Sequence, residues 1–333
     1  MSTTGPLLRV ENLSVTFHTD DGVVPALRDL SYTLNPGETL AIVGESGSGK
    51  SVGALAVMRL IPDPPGRISN GSIEFEGRSI LDLNENEMQK IRGNDIAMIF
   101  QEPVTSLNPV LSIAEQIVET VQLHQKLDKK KARARALEML QLVQISEPEQ
   151  RLEQYPYELS GGMCQRVMIA MALACTPSIL IADEPTTALD VTIQAQILDL
   201  MRDVKERLGT AILLITHDLG VVAEMADRVL VMYAGRKVEE ASVRELLNEP
   251  LHPYTLGLLG AMPRLGETQE GERLAEIPGS APSLLEPIVG CAFAPRCPFA
   301  IERCHTQAPP LQSHGDSQRL VACWRVDEVR AEQ

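Results

Sequence analysis

An eight-residue glycine-rich segment constrains the fold of this 333-residue chain more than any other feature of its sequence. It matches the pattern G-x-x-x-x-G-K-[ST] and consists of Gly44, Glu45, Ser46, Gly47, Ser48, Gly49, Lys50 and Ser51. The apolar residues 40–43 precede it, and residues 52–58 after it are compatible with a helix. A strand, a glycine-rich turn and a helix in this order form a phosphate-binding loop. The segment therefore predicts a strand–loop–helix unit with an anion site at its turn.

The residue types in this phosphate loop suit a nucleoside triphosphate. Glycines allow backbone N–H groups to turn inward around the α- and β-phosphates. Lys50 can reach the β- and γ-phosphate oxygens, and the Ser51 hydroxyl can hold Mg²⁺. The helix that follows adds the positive end of its dipole. We therefore expect a nucleoside triphosphate as the ligand.

The first third of the chain is rich in strand-forming residues. Residues 7–17 and 23–34 favour two strands, and the Asp20-Asp21-Gly22 turn between them indicates a hairpin. The character changes over residues 112–143, where apolar residues recur at helical spacings of three and four. A β-rich part is thus followed by a helical part.

Beyond Ser160, helical and strand patterns alternate along the chain. The predicted elements are a helix at 162–174, a strand at 178–182, a helix at 191–208 and a strand at 211–215. This alternation predicts an α/β fold with a mostly parallel sheet and an inserted helical piece. Prolines become frequent after residue 248, so we place a domain boundary near 250, with an exposed linker at 266–271.

Two carboxylates follow the apolar strand at 178–182. Asp183 can project from the end of that strand and hold the water shell of Mg²⁺. The adjacent Glu184 can take a proton from an attacking water molecule, as a general base does. Alone, the pair could be a simple strand cap. Downstream of a phosphate loop and within a βα pattern, it predicts a catalytic role.

A second anion site is predicted in residues 159–166 (LSGGMCQR). Ser160 is a good helix N-cap, and Gly161 and Gly162 leave N–H groups accessible at the start of the helix. The alternative is an ordinary capped helix. The other motifs of the chain favour the anion site.

Six motifs, in this order, resemble those of the ATP-binding cassette (ABC) family over residues 7 to about 250. They are the Walker A motif (44–51), the Q-loop (Gln101), the signature sequence (159–165), the Walker B motif (179–184), the D-loop (Ala188, Leu189, Asp190) and the switch histidine (His217). The resemblance implies a nucleotide-binding domain at 1–250. Its P-loop NTPase core sheet would carry an antiparallel β subdomain and a helical subdomain at about 102–165. One departure is that Met163 and Cys164 precede Gln165, where the commoner signature has Gln directly after the glycines.

The resemblance also implies a mechanism in which two cassettes pair head to tail. Each ATP would lie between the phosphate loop of one subunit and the signature helix of the other. Ser51, Gln101 and Asp183 would surround Mg²⁺. ATP would then hold the dimer together, and hydrolysis would release it.

Further residue roles follow from the same resemblance. Glu184 would polarise the attacking water, Lys50 would bind the β- and γ-phosphates, and His217 would hold the γ-phosphate. Asp190 would communicate across the interface between cassettes. Phe17 is the candidate for stacking on adenine, although packing in the core is the larger expectation for this side chain.

Four of the six cysteines fall close together near the C-terminus: Cys291, Cys297, Cys304 and Cys323. Disulfides are unexpected in a reducing cytosol, so the cysteines predict shared metal ligation. The spacing C-x5-C-x6-C-x18-C lacks the close pairs of structural zinc sites and suits a larger iron–sulfur cluster. Zinc is the alternative, with His305 in place of a cysteine.

The C-terminal residues narrow the resemblance to the ATPases of oligopeptide and dipeptide importers, a group that includes nickel and glutathione importers. The matching segments are residues 105–109, 251–255, 277–279 and 291–298. The resemblance implies a small, irregular C-terminal metal-binding domain at 251–333, with a 4Fe-4S cluster on the four cysteines.

The expected function is ATP hydrolysis that energises import of di- or oligopeptides. The alternatives are import of nickel or glutathione, a cassette ATPase outside transport, and a regulatory module without turnover. A net charge of −15 argues against nucleic acid as a partner. Expected partners are two transmembrane permease subunits, a second, homologous ATPase subunit in a heterodimer and, indirectly, an extracytoplasmic peptide-binding protein. The expected location is the cytoplasmic face of the plasma membrane, peripheral to it, because no apolar stretch approaches the length of a membrane span.

Overall fold

The computed structural model describes residues 5–187, 190–261, 276–315 and 319–332, so the predicted linker at 266–271 lies outside the described residues. The chain divides into two compact units, each assembled from segments that are distant in sequence. The first comprises Met1–Leu7, Leu34–Thr39 and Arg78–Ile215, and the second comprises Leu8–Thr33, Leu40–Gly77 and Thr216–Gln333. In the described part of the chain, no helix combines the length and apolar character needed to cross a bilayer.

The first two strands and the fourth have ten or more residues, and the other described strands have two to seven. They are β1 (Leu8–Thr19), β2 (Gly22–Leu34), β3 (Thr39–Val43), β4 (Gly66–Phe75), β5 (Arg78–Ser79), β6 (Ile96–Ile99), β7 (Ile179–Asp183), β8 (Ala211–Thr216), β9 (Arg228–Tyr233), β10 (Arg236–Ser242), β11 (Gln312–Ser313) and β12 (Leu320–Val321).

The helices range from one turn to five turns. They are α1 (Lys50–Val57), α2 (Glu85–Ile91), α3 (Pro103–Ser106), α4 (Ile113–Gln125), α5 (Lys129–Leu142), α6 (Pro148–Arg151), α7 (Gly161–Leu173), α8 (Val191–Leu208), α9 (Leu219–Met225), α10 (Val243–Asn248), α11 (Pro253–Gly260), α12 (Glu302–Thr306) and α13 (Val326–Ala331).

The first unit is built on three parallel strands in the order β6-β7-β8. Every residue of these three strands is buried. Continuous apolar runs of this kind are typical of parallel strands that are covered on both faces. Because β7 is the middle strand, Asp183 at its end and Glu184 after it lie at the carboxyl edge of the sheet, where α/β proteins bind ligands.

Helices α3 to α7 are inserted between β6 and β7, which are neighbouring strands of this sheet. The helical pattern over residues 112–143 divides into two helices, α4 and α5. Lys126 ends α4 in the left-handed conformation, with a φ of 53°. The Asp128 side chain then caps α5 by accepting the N–H of Lys131 at 2.9 Å.

The second unit contains the β1–β2 hairpin that the turn signal predicted, and β4 pairs antiparallel with β1. Strand β3 pairs in parallel with β9, which in turn pairs antiparallel with β10. All five residues of β3 are buried, so the phosphate loop leaves from a strand fixed in the core.

The C-terminal part of this unit extends the same sheet with short elements. Strand β12 pairs antiparallel with β10, placing Val321 opposite Glu239, and β11 pairs with β12. The Glu239 carboxylate is buried and accepts the backbone N–H groups of Leu251 at 2.8 Å and His252 at 3.0 Å. Arg319 Nη2 lies 3.7 Å from the same carboxylate. These contacts fasten the start of α11 to the sheet.

His252 makes the stability of this region dependent on pH. It caps α11 through Nδ1, which accepts the Tyr254 N–H at 3.0 Å, and it hydrogen bonds to the backbone of Ala322. Burial lowers the pKa of His252 to about 3. The unfolded chain takes up a proton near pH 6.5 whereas the folded chain does not, so stability present above pH 6.5 is lost as the pH falls toward 3.

We expect the His252→Asn variant to lose less stability on acidification than the parent. Asparagine can retain the helix cap but does not titrate. Between pH 7 and pH 5 the histidine alone accounts for about 2 kcal/mol of the parent's loss in unfolding free energy. Urea unfolding at both pH values measures this difference. His305→Asn, at an exposed position on α12, is the control. Equal pH dependence in parent and His252→Asn would contradict the assignment.

Candidate nucleotide-binding site

The phosphate loop turns sharply between β3 and α1. Gly44, Gly47 and Gly49 have positive φ values of 153°, 78° and 97°. A Cβ atom on Gly44 would lie 2.2 Å from the carbonyl oxygen of Met232, and one on Gly49 would lie 2.5 Å from that of Ala26. Glycine is therefore required at both positions, and the backbone can form a concave loop.

Polar groups inside the loop suit a phosphate ligand. Lys50 is 5% exposed, and its Nζ donates to the carbonyl oxygens of Gly44 at 2.8 Å and Glu45 at 3.0 Å. The Ser48 hydroxyl is buried and has no hydrogen-bond partner among the described residues. A lysine ammonium folded over the loop and an unsatisfied buried hydroxyl fit an anion that would bond to both. Ser51 follows Lys50 in the first turn of α1, which begins two residues earlier than the segment 52–58 expected to be helical.

The predicted catalytic carboxylate lies in the first unit, at the end of β7. Glu184 has a φ of 48°, unusual for a residue other than glycine, and its N–H donates to the carbonyl of Ile215 at 2.8 Å. Gln101 Nε2 and Thr187 Oγ1 each donate to Glu184 Oε2 at 2.9 Å. The structure thus brings Gln101 and Glu184 together. The two hydrogen bonds from Gln101 and Thr187 fix the orientation of the Glu184 carboxylate.

Asp183 precedes this carboxylate as the last residue of β7. It is 5% exposed, and the strand around it is entirely buried. Oxygen donors such as this carboxylate, the Gln101 carbonyl and the Ser51 hydroxyl are of the type that Mg²⁺ prefers. The chemistry of the predicted donor set therefore fits this cation.

The signature segment forms the N-terminus of α7. Ser160 caps the helix by accepting the Met163 N–H at 3.3 Å, and both Ser160 and Gly161 are exposed. A helix N-terminus with accessible N–H groups attracts anions. Gln165, which is displaced from its common position in the signature, is buried and donates to the Pro185 carbonyl at 2.6 Å. It therefore braces the turn that follows Glu184.

The remaining predicted site residues are Asp190, His217 and Phe17. Asp190 is exposed and caps α8 by accepting the Ile193 N–H at 2.9 Å, whereas residues 188 and 189 of the D-loop lie outside the described residues. His217 is exposed and directly follows β8. Phe17 is half-buried, and its ring covers Gly66 on the neighbouring strand β4. Stacking of Phe17 on adenine stays a prediction.

The four C-terminal cysteines do not form the predicted metal site. They line one cavity of about 20 Å³, which has room for about one water molecule. Among the described residues, no group of three or more His, Cys, Asp or Glu side chains is placed to hold a metal ion. Burial raises the pKa of Cys297 to about 11 and that of Cys323 to about 12. In the absence of a metal ion these thiols are therefore neutral at pH 7.

The prediction of a 4Fe-4S cluster on Cys291, Cys297, Cys304 and Cys323 is therefore wrong. The zinc alternative fails on the same ground. His305, its proposed ligand, is exposed on α12. Of the four cysteines, Cys304 is buried and the other three are partly buried. The remaining two cysteines, Cys164 and Cys175, are both buried.

Three contacts of the site were not predicted from the sequence. They are the Gln165–Pro185 bond, the Thr187–Glu184 bond, and an ion pair between Glu45 of the phosphate loop and Arg296. The first joins residues that are 20 apart. The second joins residues that are three apart, and the position of Thr187 just after the acidic pair was a usable signal. No local signal marks the third contact, because its partners are 251 residues apart.

Comparisons with known proteins agree with this fold and these motifs. Residues 27–187 match the family described as ABC transporter, and residues 238–304 match the oligopeptide/dipeptide transporter C-terminal region. The oligopeptide transport ATP-binding protein AppD of Bacillus subtilis is 53% identical over 98% of this chain and 99% of its own length. OppD of the same organism is 54% identical over 96% of this chain and 88% of its own length. A dimeric ATP-binding cassette solved with ADP and Pi superposes with a TM-score of 0.65 at 29% identity, covering 71% of this chain and 99% of that one.

The cassette fold and the nucleotide motifs place this chain in the ABC family of ATP-binding proteins. Within that family, its C-terminal region and its relatives place it among the ATP-binding proteins of the oligopeptide/dipeptide transporter group.

Proposed function

We propose that this chain is the ATP-hydrolysing subunit of a peptide importer. The observation that carries the proposal is the identity of more than half of its residues, over nearly its whole length, with oligopeptide transport ATP-binding proteins. The match to the oligopeptide/dipeptide transporter C-terminal region supports the same class of cargo. In this proposal the chain works with membrane permease partners, as its place in the transporter family implies.

The phosphate loop binds the phosphates of ATP in this proposal. Its N–H groups surround the α- and β-phosphates. Lys50 Nζ gives up its hydrogen bonds to the carbonyls of Gly44 and Glu45 and donates to β- and γ-phosphate oxygens instead. The Ser48 hydroxyl, which has no hydrogen-bond partner among the described residues, gains one in the phosphate. Ser51, Gln101 and Asp183 would hold Mg²⁺, which neutralises phosphate charge when bound.

Glu184 acts as the general base that takes a proton from the attacking water. Two donors hold its Oε2, so the carboxylate is oriented before ATP arrives. His217 contacts the γ-phosphate and steadies the charge that develops there. Phe17 remains the candidate for adenine.

Two cassettes pair head to tail, and the exposed N-terminus of α7 contacts the ATP of the opposite subunit. Support comes from the accessible Ser160, Gly161 and Gly162 backbone and from the dimeric state of the related cassette solved with ADP and Pi. Asp190 lies at this interface. The partner cassette is a homologous second ATPase, and the pair binds two permease subunits at the cytoplasmic face of the membrane. An extracytoplasmic binding protein delivers the peptide.

Uptake of labelled di- and oligopeptides by cells that lack this gene tests the cargo. We expect the parent gene to restore peptide uptake and a Glu184→Gln gene to leave it at the background level. Restoration of nickel or glutathione uptake without any peptide defect would contradict peptide as the cargo and leave the ATPase assignment standing. Restoration of peptide uptake by Glu184→Gln would contradict the catalytic assignment.

A further inference from the structure

The C-terminal region contacts the phosphate loop through Arg296. Its guanidinium pairs with Glu45 in a bidentate arrangement, Nη1 to Oε2 at 2.8 Å and Nη2 to Oε1 at 3.0 Å. The Arg296 side chain is 7% exposed and the Glu45 side chain 28% exposed. Bidentate ion pairs with a buried arginine are strong and directional, unlike single contacts between exposed side chains.

Arg296 is itself fixed by the C-terminal region. Its Nε donates to the Pro278 carbonyl at 2.9 Å, and Nη2 donates to the Ile277 carbonyl at 3.2 Å. Nη1 lies 3.2 Å from the Tyr233 hydroxyl. The guanidinium therefore connects residues 277 and 278, β9 and the phosphate loop in one network.

A second contact from the C-terminal region reaches the backbone of the same loop residue. The N–H of Glu45 donates to the Tyr254 hydroxyl at 2.7 Å, while the Glu45 carbonyl accepts from Lys50. Tyr254 is fully buried, with its ring centroid 4.6 Å from Tyr233 and 5.4 Å from Phe293. The N–H, the carbonyl and the side chain of Glu45 are thus all held.

These contacts act on a loop in which the four residues after Glu45, 46–49, are serines and glycines, which contribute little side-chain contact. Residues 281, 282 and 284 line a small cavity together with residues 46–48, so the C-terminal region also lies along the loop. A loop that binds anions through its backbone needs its N–H groups held in a convergent geometry before the ligand arrives.

We propose that Arg296 and Tyr254 are positioning residues for ATP, which hold the phosphate loop in its binding geometry through Glu45. This inference rests on the proposed ATP binding. Removal of either contact lets the loop populate other conformations. The apparent Kd then rises in inverse proportion to the fraction of the loop that is competent to bind.

The test compares the affinity of full-length variants for a non-hydrolysable ATP analogue with Mg²⁺. We expect Arg296→Gln to raise its Kd about tenfold, and the KM for ATP similarly, with kcat at saturating ATP within about twofold of the parent. Tyr254→Phe should raise the Kd about threefold, since the Glu45 N–H loses a neutral acceptor. Arg330→Gln is the matched control, because that arginine lies in the same region in an exposed pair with Glu249.

Amide hydrogen exchange without nucleotide gives an independent readout. The peptide that contains residues 44–51 should exchange faster in Arg296→Gln than in the parent and in Arg330→Gln. A merely structural ion pair would lower the melting temperature and leave the Kd and loop exchange unchanged. That result would overturn the inference.

A further variant covers the case in which Arg296→Gln does not fold. Arg296→Lys keeps the positive charge but cannot form the bidentate guanidinium–carboxylate pair, so it should raise the Kd about threefold. An unchanged Kd in both Arg296→Lys and Tyr254→Phe would overturn the inference. If the parent itself fails to bind the nucleotide, the proposed function fails instead, so the two failures are distinguishable.

Discussion

Replacing Glu184 with glutamine is expected to lower ATP turnover at least about 100-fold, while the Kd for ATP stays within about threefold of the parent. Glutamine retains an oxygen that can accept from Gln101 and Thr187, so the local structure should be preserved. It cannot take a proton from water. Phosphate release measures turnover, and equilibrium titration measures binding.

A matched control for this experiment is Glu119→Gln on helix α4, where the carboxylate is exposed. Its turnover should equal that of the parent. Turnover of Glu184→Gln near the parent value would show that the water is activated elsewhere. A collapse of ATP binding together with turnover would indicate that Glu184 serves the structure of the site and not its chemistry.

The second large effect is expected from Gly44→Ala in the phosphate loop. The new Cβ would lie 2.2 Å from the Met232 carbonyl oxygen, and alanine is strained at a φ of 153°. Backbone oxygens cannot rotate away, so the loop or strand β9 must move. We expect the unfolding free energy to fall by about 3 kcal/mol and the ATP affinity by at least about 100-fold. Thermal unfolding and nucleotide titration measure the two effects.

Gly47→Ala separates the clash from the backbone strain. Gly47 also has a positive φ, 78°, but a Cβ there would have no atom within 4 Å. Only the strain remains, and this costs about 1 kcal/mol. If the two variants lost equal stability and affinity, close packing of the loop against Met232 would not be what requires glycine at position 44.

The core elements could be predicted because local signals and packing agree there. A helix was predicted over residues 191–208, and α8 spans Val191–Leu208. Asp190 caps its start, and Gly209 adopts the left-handed conformation at its end, so both termini are determined by neighbouring residues. The strand predicted at 178–182 is shifted by one residue in the structure, since Asp183 joins β7.

The contacts of the C-terminal region could not be predicted, because they depend on residues that are far apart in sequence. Strand β12 has only two residues and no alternating pattern, and it exists because β10 offers an edge to pair with. The cysteine spacing led to a wrong prediction even though these residues are close together in the sequence. It correctly indicated that the four side chains line one cavity, but that cavity has room for about one water molecule. No group of three or more of the described His, Cys, Asp or Glu side chains is placed to hold a metal ion.

The long sequence separation between Glu45 and Arg296 has a consequence for the synthesis of this protein. The phosphate loop emerges early from the ribosome, yet strand β9 beside it and the Arg296 guanidinium follow much later, the latter 251 residues on. At translation rates of about 5–20 residues per second, that interval is roughly 10–50 s. During this time the nascent chain contains the whole phosphate loop but not yet all of the residues that contact it in the folded protein. A growing chain is therefore a poor competitor for cellular ATP until its C-terminal region has been made.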